Sequence, residues 1–145
     1  MTKPEIRHQI VSLARSWVGQ VRFRHQGRDP ENGLDCAGVV IRIAHDLQLS
    51  DFDIVAYPRI PDGRGMKDLL DREMISILRS ELLPGDAVLL ADNRWPCHLA
   101  IVADYPQSFS LIHSQITAGG VIETRLDDET ERRIIACYQF PGVRD

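Results

Sequence analysis

Paired cysteines are missing from this chain. It has three, Cys36, Cys97 and Cys137, an odd number at wide spacings and without a Cys-x-x-Cys pair. Neither a disulfide framework nor a structural zinc site fits that pattern, so no metal is expected. Unpaired thiols point to a reducing compartment. Positive charge is scarce as well: 17 Lys and Arg against 21 Asp and Glu leave a net charge of −4. The basic stripe of a nucleic-acid binder is absent, and no nucleic acid is expected as a partner. No apolar run approaches the ~18 residues of a membrane span. Met1-Thr2-Lys3-Pro4-Glu5 carries an early acid with no apolar run behind it. This predicts synthesis in the cytoplasm without a secretory signal. Repeats, low-complexity tracts and linkers are also missing, so the 145 residues are expected to form one domain, 1–145, with a sizeable core.

What is present divides into helices first and strands second. Ile6, Ile10, Leu13, Ala14 and Trp17 recur at helical spacing, which predicts a helix over about 4–18 that Gly19 ends. A second is expected from Asp35 to about Leu47, with Val39, Val40, Ile43 and Leu47 as its apolar stripe and Asp35 as N-cap. Met66, Leu69, Leu70, Met74 and Ile77 predict a third over about 65–78. The segments 26–33 and 57–63 read as loops. Pro84-Gly85-Asp86 is a turn, followed by strands at 87–90, 98–103, 109–114, 121–124 and 133–140. The expected class is α+β, with N-terminal helices packed on a C-terminal antiparallel β-sheet or small barrel.

The chemistry gathers around Gly33-Leu34-Asp35-Cys36-Ala37-Gly38-Val39-Val40. A thiol reacts as its thiolate, and the positive end of a helix favours that anion. Gly33 and Gly38 leave room for close backbone approach. Taken singly, a free cysteine is most often a buried structural residue; the Asp-Cys-x-Gly pattern at a helix start favours a nucleophile. His98 enters an otherwise apolar strand, sharing a face with Ala100 and Val102. Phe109, Leu111 and His113 share a face of the next strand. If the two strands pair, the imidazoles come close: His98 as the base that takes the Cys36 proton, His113 as the residue that orients it. Either histidine could equally be a solvent-facing side chain. His25 lies upstream and can line the pocket. His8 is expected at the surface, and His45 in solvent or on its helix's own last carbonyls. Cys97 and Cys137 are expected in the core.

These residues resemble the NlpC-type (NlpC/P60) cell-wall cysteine peptidases. The segment 33–40 is similar to that family's Asp-Cys-Ser-Gly-Leu-Val motif. Leu83-Pro84-Gly85-Asp86-Ala87-Val88-Leu89 is similar to its Leu-x-Pro-Gly-Asp-Leu strand, His98-Leu99-Ala100-Ile101-Val102 to its His-Val-Gly-Ile-Tyr, and Ile112-His113-Ser114 to its Ile-His-Ala. The resemblance implies a papain-like fold, with Cys36 as nucleophile, His98 as base and His113 as the third residue. It implies no cofactor, and a substrate among peptidoglycan stem peptides, often cut at D-γ-glutamyl-diaminopimelate. Two positions depart from the pattern. Ala37 replaces the usual Ser, and Phe23 stands where a tyrosine helps bind the oxyanion. Phe23 has no hydroxyl, which leaves that task to His25 or the backbone amide of Cys36. Asp35, Phe23 and His25 are thus the expected substrate or oxyanion residues.

Stand-alone members with Phe-Arg-His-Gln-Gly near this position, here Phe23-Arg24-His25-Gln26-Gly27, resemble peptidases encoded with phage tails and gene transfer agents. That implies tail proteins as partners and a tail particle acting in the periplasm or cell wall. Two alternatives remain beside hydrolysis of stems. One is a tail or hub assembly module with a vestigial site, motivated by Phe23. The other is an acyltransferase or amidase on another substrate.

Overall fold

Thr2 starts the first helix, its side chain accepting from the Glu5 amide, and Pro4 sits in the first turn, where no amide is needed. This computed structural model describes residues 2–53, 64–92 and 95–143. Helix α1 (Lys3–Trp17) buries Ile6, Ile10, Val11, Ala14 and Trp17 and is capped at Val18, one residue before Gly19, whose φ of 73° suits glycine. The chain then runs extended along the sheet edge: Gly19 N donates to Val121 O, and Phe23 N to Gly119 O.

The segment expected to be pure loop contains a small hairpin, β1 (Arg28–Asp29) against β2 (Gly33–Leu34). Asp29 makes it possible, since its carboxylate accepts from Glu31 N and its carbonyl from Asn32 N, closing a tight turn. Helix α2 (Cys36–Asp46) follows at once, buried at Ala37, Gly38, Val39, Val40, Ile41, Ile43 and Ala44. Each of its branched side chains contributes about 1.5–3 kcal/mol of transfer free energy.

Helix α3 (Arg64–Glu73) is shorter than expected. It closes with Met74 N on Leu70 O, and Ile77 is not on the helix: Ile75–Ile77 forms β3, paired antiparallel with the last strand. Two β-branched residues at period two gain more from that ladder than from another helical turn. The expected loop over 57–63 lies outside the described residues.

The other strands are β4 (Ala87–Asp92), β5 (Trp95–Tyr105), β6 (Ser108–Gln115), β7 (Gly120–Arg125) and β8 (Ile134–Gln139). Their order is β3-β8-β4-β5-β6-β7, all antiparallel. The sheet has two ends, so it is open and not a barrel. A short helix α4 (Asp128–Arg133), absent from the expectations, precedes β8. It has no apolar stripe to betray it and is set by its cap, Asp127, which accepts from Thr130 N.

Both sheet faces are covered. Leu89, Leu99, Ile101, Ile112 and Tyr138 pack against the three long helices. On the other face Val88, Leu90, Ala100, Val102, Leu111 and Cys137 lie beneath Leu82, Leu126 and Ile134. Asp86, of the Pro-Gly-Asp turn, is fully buried; it accepts from Leu83 N and pairs with Arg7 at 2.6 Å, tying α1 to β4. Burial nonetheless pushes its carboxyl above the ordinary range. No helix among the described residues is long and apolar enough to cross a membrane.

Candidate active site

Asp35 builds the start of α2. One carboxylate oxygen accepts from Gly38 N at 2.7 Å and from Arg28 at 3.2 Å; the other accepts from Gln26 N at 2.7 Å. The residue is buried. These bonds make it the expected cap and also an anchor for the preceding loop. The carboxylate accepts in each of these bonds and so ties the helix start to the loop before it. Gly38 is required by packing, because a Cβ there would collide with the carbonyl oxygen of Gly27. Cys36 is therefore the first residue of α2, half-buried, a thiol at the positive end of the dipole.

The two other expected site residues of the loop flank this start. Phe23, half-buried, lies in the strip between β7 and β2, where Arg24 N donates to Leu34 O and Leu34 N to Arg22 O. His25, half-buried, occupies the turn closed by Gly27 N on Arg24 O, one residue before the amide held by Asp35.

The two histidines come together as the strand pairing requires. Leu90 faces His98 across β4 and β5. Beyond it, Ile101 faces Ile112 across β5 and β6, which leaves His113 diagonal to His98. His98 Nε2 lies 2.7 Å from His113 Nδ1, with the rings 4.9 Å apart at 73°. His113 Nε2 in turn lies 3.0 Å from Thr124 Oγ1. Two proton arrangements satisfy this chain. When His98 donates to His113 and His113 to Thr124, Nδ1 of His98 is left as an acceptor, the form a general base needs. The helix start at Cys36 is tied to the strand of His113 through the backbone, since Ser114 Oγ donates to Leu34 O at 2.6 Å.

The environment keeps both imidazoles neutral. Burial first, then His113, then the Arg133 guanidinium push His98 down to about 3. Burial and Arg133 push His113 down to about 4. A neutral imidazole and a thiol at a helix start are the groups that nucleophilic acyl transfer uses.

Three contributors escaped the sequence reading. Thr124 stands opposite Leu111 on β7, on the face that carries His113, so period-two alternation could have found it. Ser114 and Arg133 gave no such signal. Of the remaining expectations, His8 is exposed and Cys137 is buried. His45 differs: its Nε2 meets the carbonyl of Phe52 at 2.7 Å, not a carbonyl of its own helix, because the chain turns back beneath it after Leu49. The Cys97 side chain lies outside the described residues. Among the described residues no group of three His, Cys, Asp or Glu side chains is arranged to hold a metal ion.

No protein-family model matches the chain. No curated protein matches it either. Solved structures do. A Bacillus cereus ATCC 10987 protein of the NlpC/P60 family superimposes with a TM-score of 0.68 at 16% identity, over 92% of this chain and 40% of its own. A Staphylococcus aureus Mu50 protein of the NLP/P60 family, described as similar to lipoprotein, gives 0.66 at 15%, over 95% and 42%. This chain thus spans less than half of either. The NlpC/P60 domain of the peptidoglycan hydrolase SagA gives 0.61 at 19%, over 90% of this chain and 96% of that domain. The helices, the antiparallel sheet and the order of the elements are those of an α+β, papain-like NlpC/P60 fold.

Proposed function

We propose that the protein is a cysteine peptidase that hydrolyses amide bonds in peptidoglycan stem peptides. The observation that carries this reading is the His98–His113–Thr124 chain, whose strand is tied through Ser114 Oγ and Leu34 O to the loop before the helix that begins at Cys36. Cys36 Sγ attacks the amide carbon while its proton passes to His98 Nδ1. The tetrahedral intermediate collapses, the C–N bond breaks, and His98 protonates the leaving amine. Water, deprotonated by His98, then cleaves the thioester and frees the thiol. The backbone amide of Cys36 and the segment Phe23–His25 border the oxyanion. The fold is shared with a domain of a protein named as a peptidoglycan hydrolase. The bond that the family resemblance implies is often D-γ-glutamyl-diaminopimelate.

The test is alkylation of Cys36 across pH, read by peptide mass spectrometry, together with a digest of muropeptides. Fast labelling well below the free-thiol value of ~8.5, lost in His98→Ala, and stem products lost in Cys36→Ala are the expected results. Wild-type product yield from Cys36→Ala would overturn the reading.

Phe23 favours a second reading, a tail-associated assembly module whose site is vestigial, since the hydroxyl expected there is missing. It requires partner binding that survives Cys36→Ala and co-purification with a tail-like particle.

A further inference from the structure

We propose that Arg133 is a seat for a carboxylate of the substrate, beside the His98–His113 pair. The proposal rests on the reading of that pair and Cys36 as the reacting groups, and it adds what the substrate must carry.

Arg133 is the last residue of α4, directly before Ile134. Ile134 and His98 both face Leu90, from its two sides, so Arg133 stands at the strand end that borders the row holding His98. Its Nε donates to Ala91 O at 2.9 Å, where the β4–β5 register shifts. That bond holds the base of the guanidinium and uses one of five donors. Arg7, Arg15 and Arg79 have carboxylate partners in Asp86, Glu123 and Glu131. Among the described residues Arg133 has none, although acids outnumber bases in the chain.

An uncovered cation in this place opposes the reaction. Its charge bears on both imidazoles and disfavours the imidazolium that His98 must become. A carboxylate on the guanidinium fork removes that penalty. Seating the anion then does two things at once: it fixes the peptide against the sheet row, and it lets His98 accept the thiol proton. A peptide with the same backbone but an uncharged group there loses both. Stem peptides carry free carboxylates next to their amide bonds, so this requirement suits them.

The test uses the full chain and needs no substrate. Cys36 is alkylated by iodoacetate and by iodoacetamide at one pH and low salt, and the ratio of the two rates is read; the ratio cancels the amount of thiolate and leaves the local field. Arg133→Gln should lower the ratio about three- to tenfold, Arg133→Lys should retain it, and Arg132→Gln, exposed on the same helix, should leave it unchanged. An unchanged ratio in Arg133→Gln overturns the proposal, as does an equal loss in Arg133→Lys, which would mean a structural role. The second arm compares a stem peptide bearing the free carboxylate with the same peptide as its amide. Arg133→Gln should erase the preference for the acid, and a preference that survives overturns the seat. If no stem peptide is cut while the ratio still falls, the seat stands and the peptidase reading falls.

Discussion

Ser114 Oγ donates to the carbonyl of Leu34 at 2.6 Å, and this bond joins the two halves of the site. Ser114 follows His113 on β6, and Leu34 lies two residues ahead of Cys36, so the helix that begins at Cys36 is registered against the strand that carries His113. Both partners are buried. Ser114→Ala should cost about 1–2 kcal/mol in urea unfolding, because a buried carbonyl loses its hydroxyl donor. It should lower kcat more than it raises KM, since the shift falls between reacting groups. Unchanged kcat with lowered stability would reduce the bond to a fold contact.

Thr124 fixes the far end of the imidazole chain at 3.0 Å from His113. Thr124→Val keeps the shape and removes the oxygen. The prediction is a fall of about tenfold in kcat/KM, carried by kcat and reversed by Thr124→Ser, as expected when the orientation and tautomer of a base are lost and its identity is kept. Steady-state kinetics on any cleaved peptide checks it.

The histidine pair makes stability depend on pH in one direction. In the unfolded chain both rings take protons near 6.5, while in the fold His113 titrates at about 4 and His98 at about 3. Between these values the unfolded state binds more protons, so stability is full above 6.5 and falls as pH drops through 6.5 towards 3–4. Urea midpoints from pH 7 to pH 4 should decline, and the decline should shrink in His113→Asn. A flat profile would mean that neither ring is desolvated.

Asp35 accepts from Gln26 N, Arg28 and Gly38 N at the start of α2. Asp35→Ala should cost about 2 kcal/mol, the upper range for a lost N-cap, and should slow Cys36 alkylation at neutral pH because the first turn is no longer set. Thermal unfolding and thiol labelling on the same sample separate the two effects.

Much of the site could be read without coordinates. Asp35 before Cys36 is a cap by residue type alone, and Gly38 is small because a loop carbonyl passes it. His98 and His113 sit at strand positions whose alternation puts each on one face, and pairing of neighbouring strands does the rest. Other elements were not legible. The hairpin 28–34 depends on a turn closed by Asp29, α4 has no apolar period, and Ile77 fits a helical stripe and a strand equally well until β8 lies beside it. Short elements bury too little for periodicity to mark them.

Caps, turns and apolar periods are local, so residue order alone carried the class of the fold, the helix start at Cys36 and the strands that hold the histidines. Which side chains meet was settled by the folded chain. Thr124 behind His113, Ser114 on Leu34 and Arg133 on the carbonyl of Ala91 are contacts between residues distant in the chain. Their place follows from strand order and register, which no local pattern encodes, and the low titration of the two rings follows from burial that exists only once the sheet is covered on both faces.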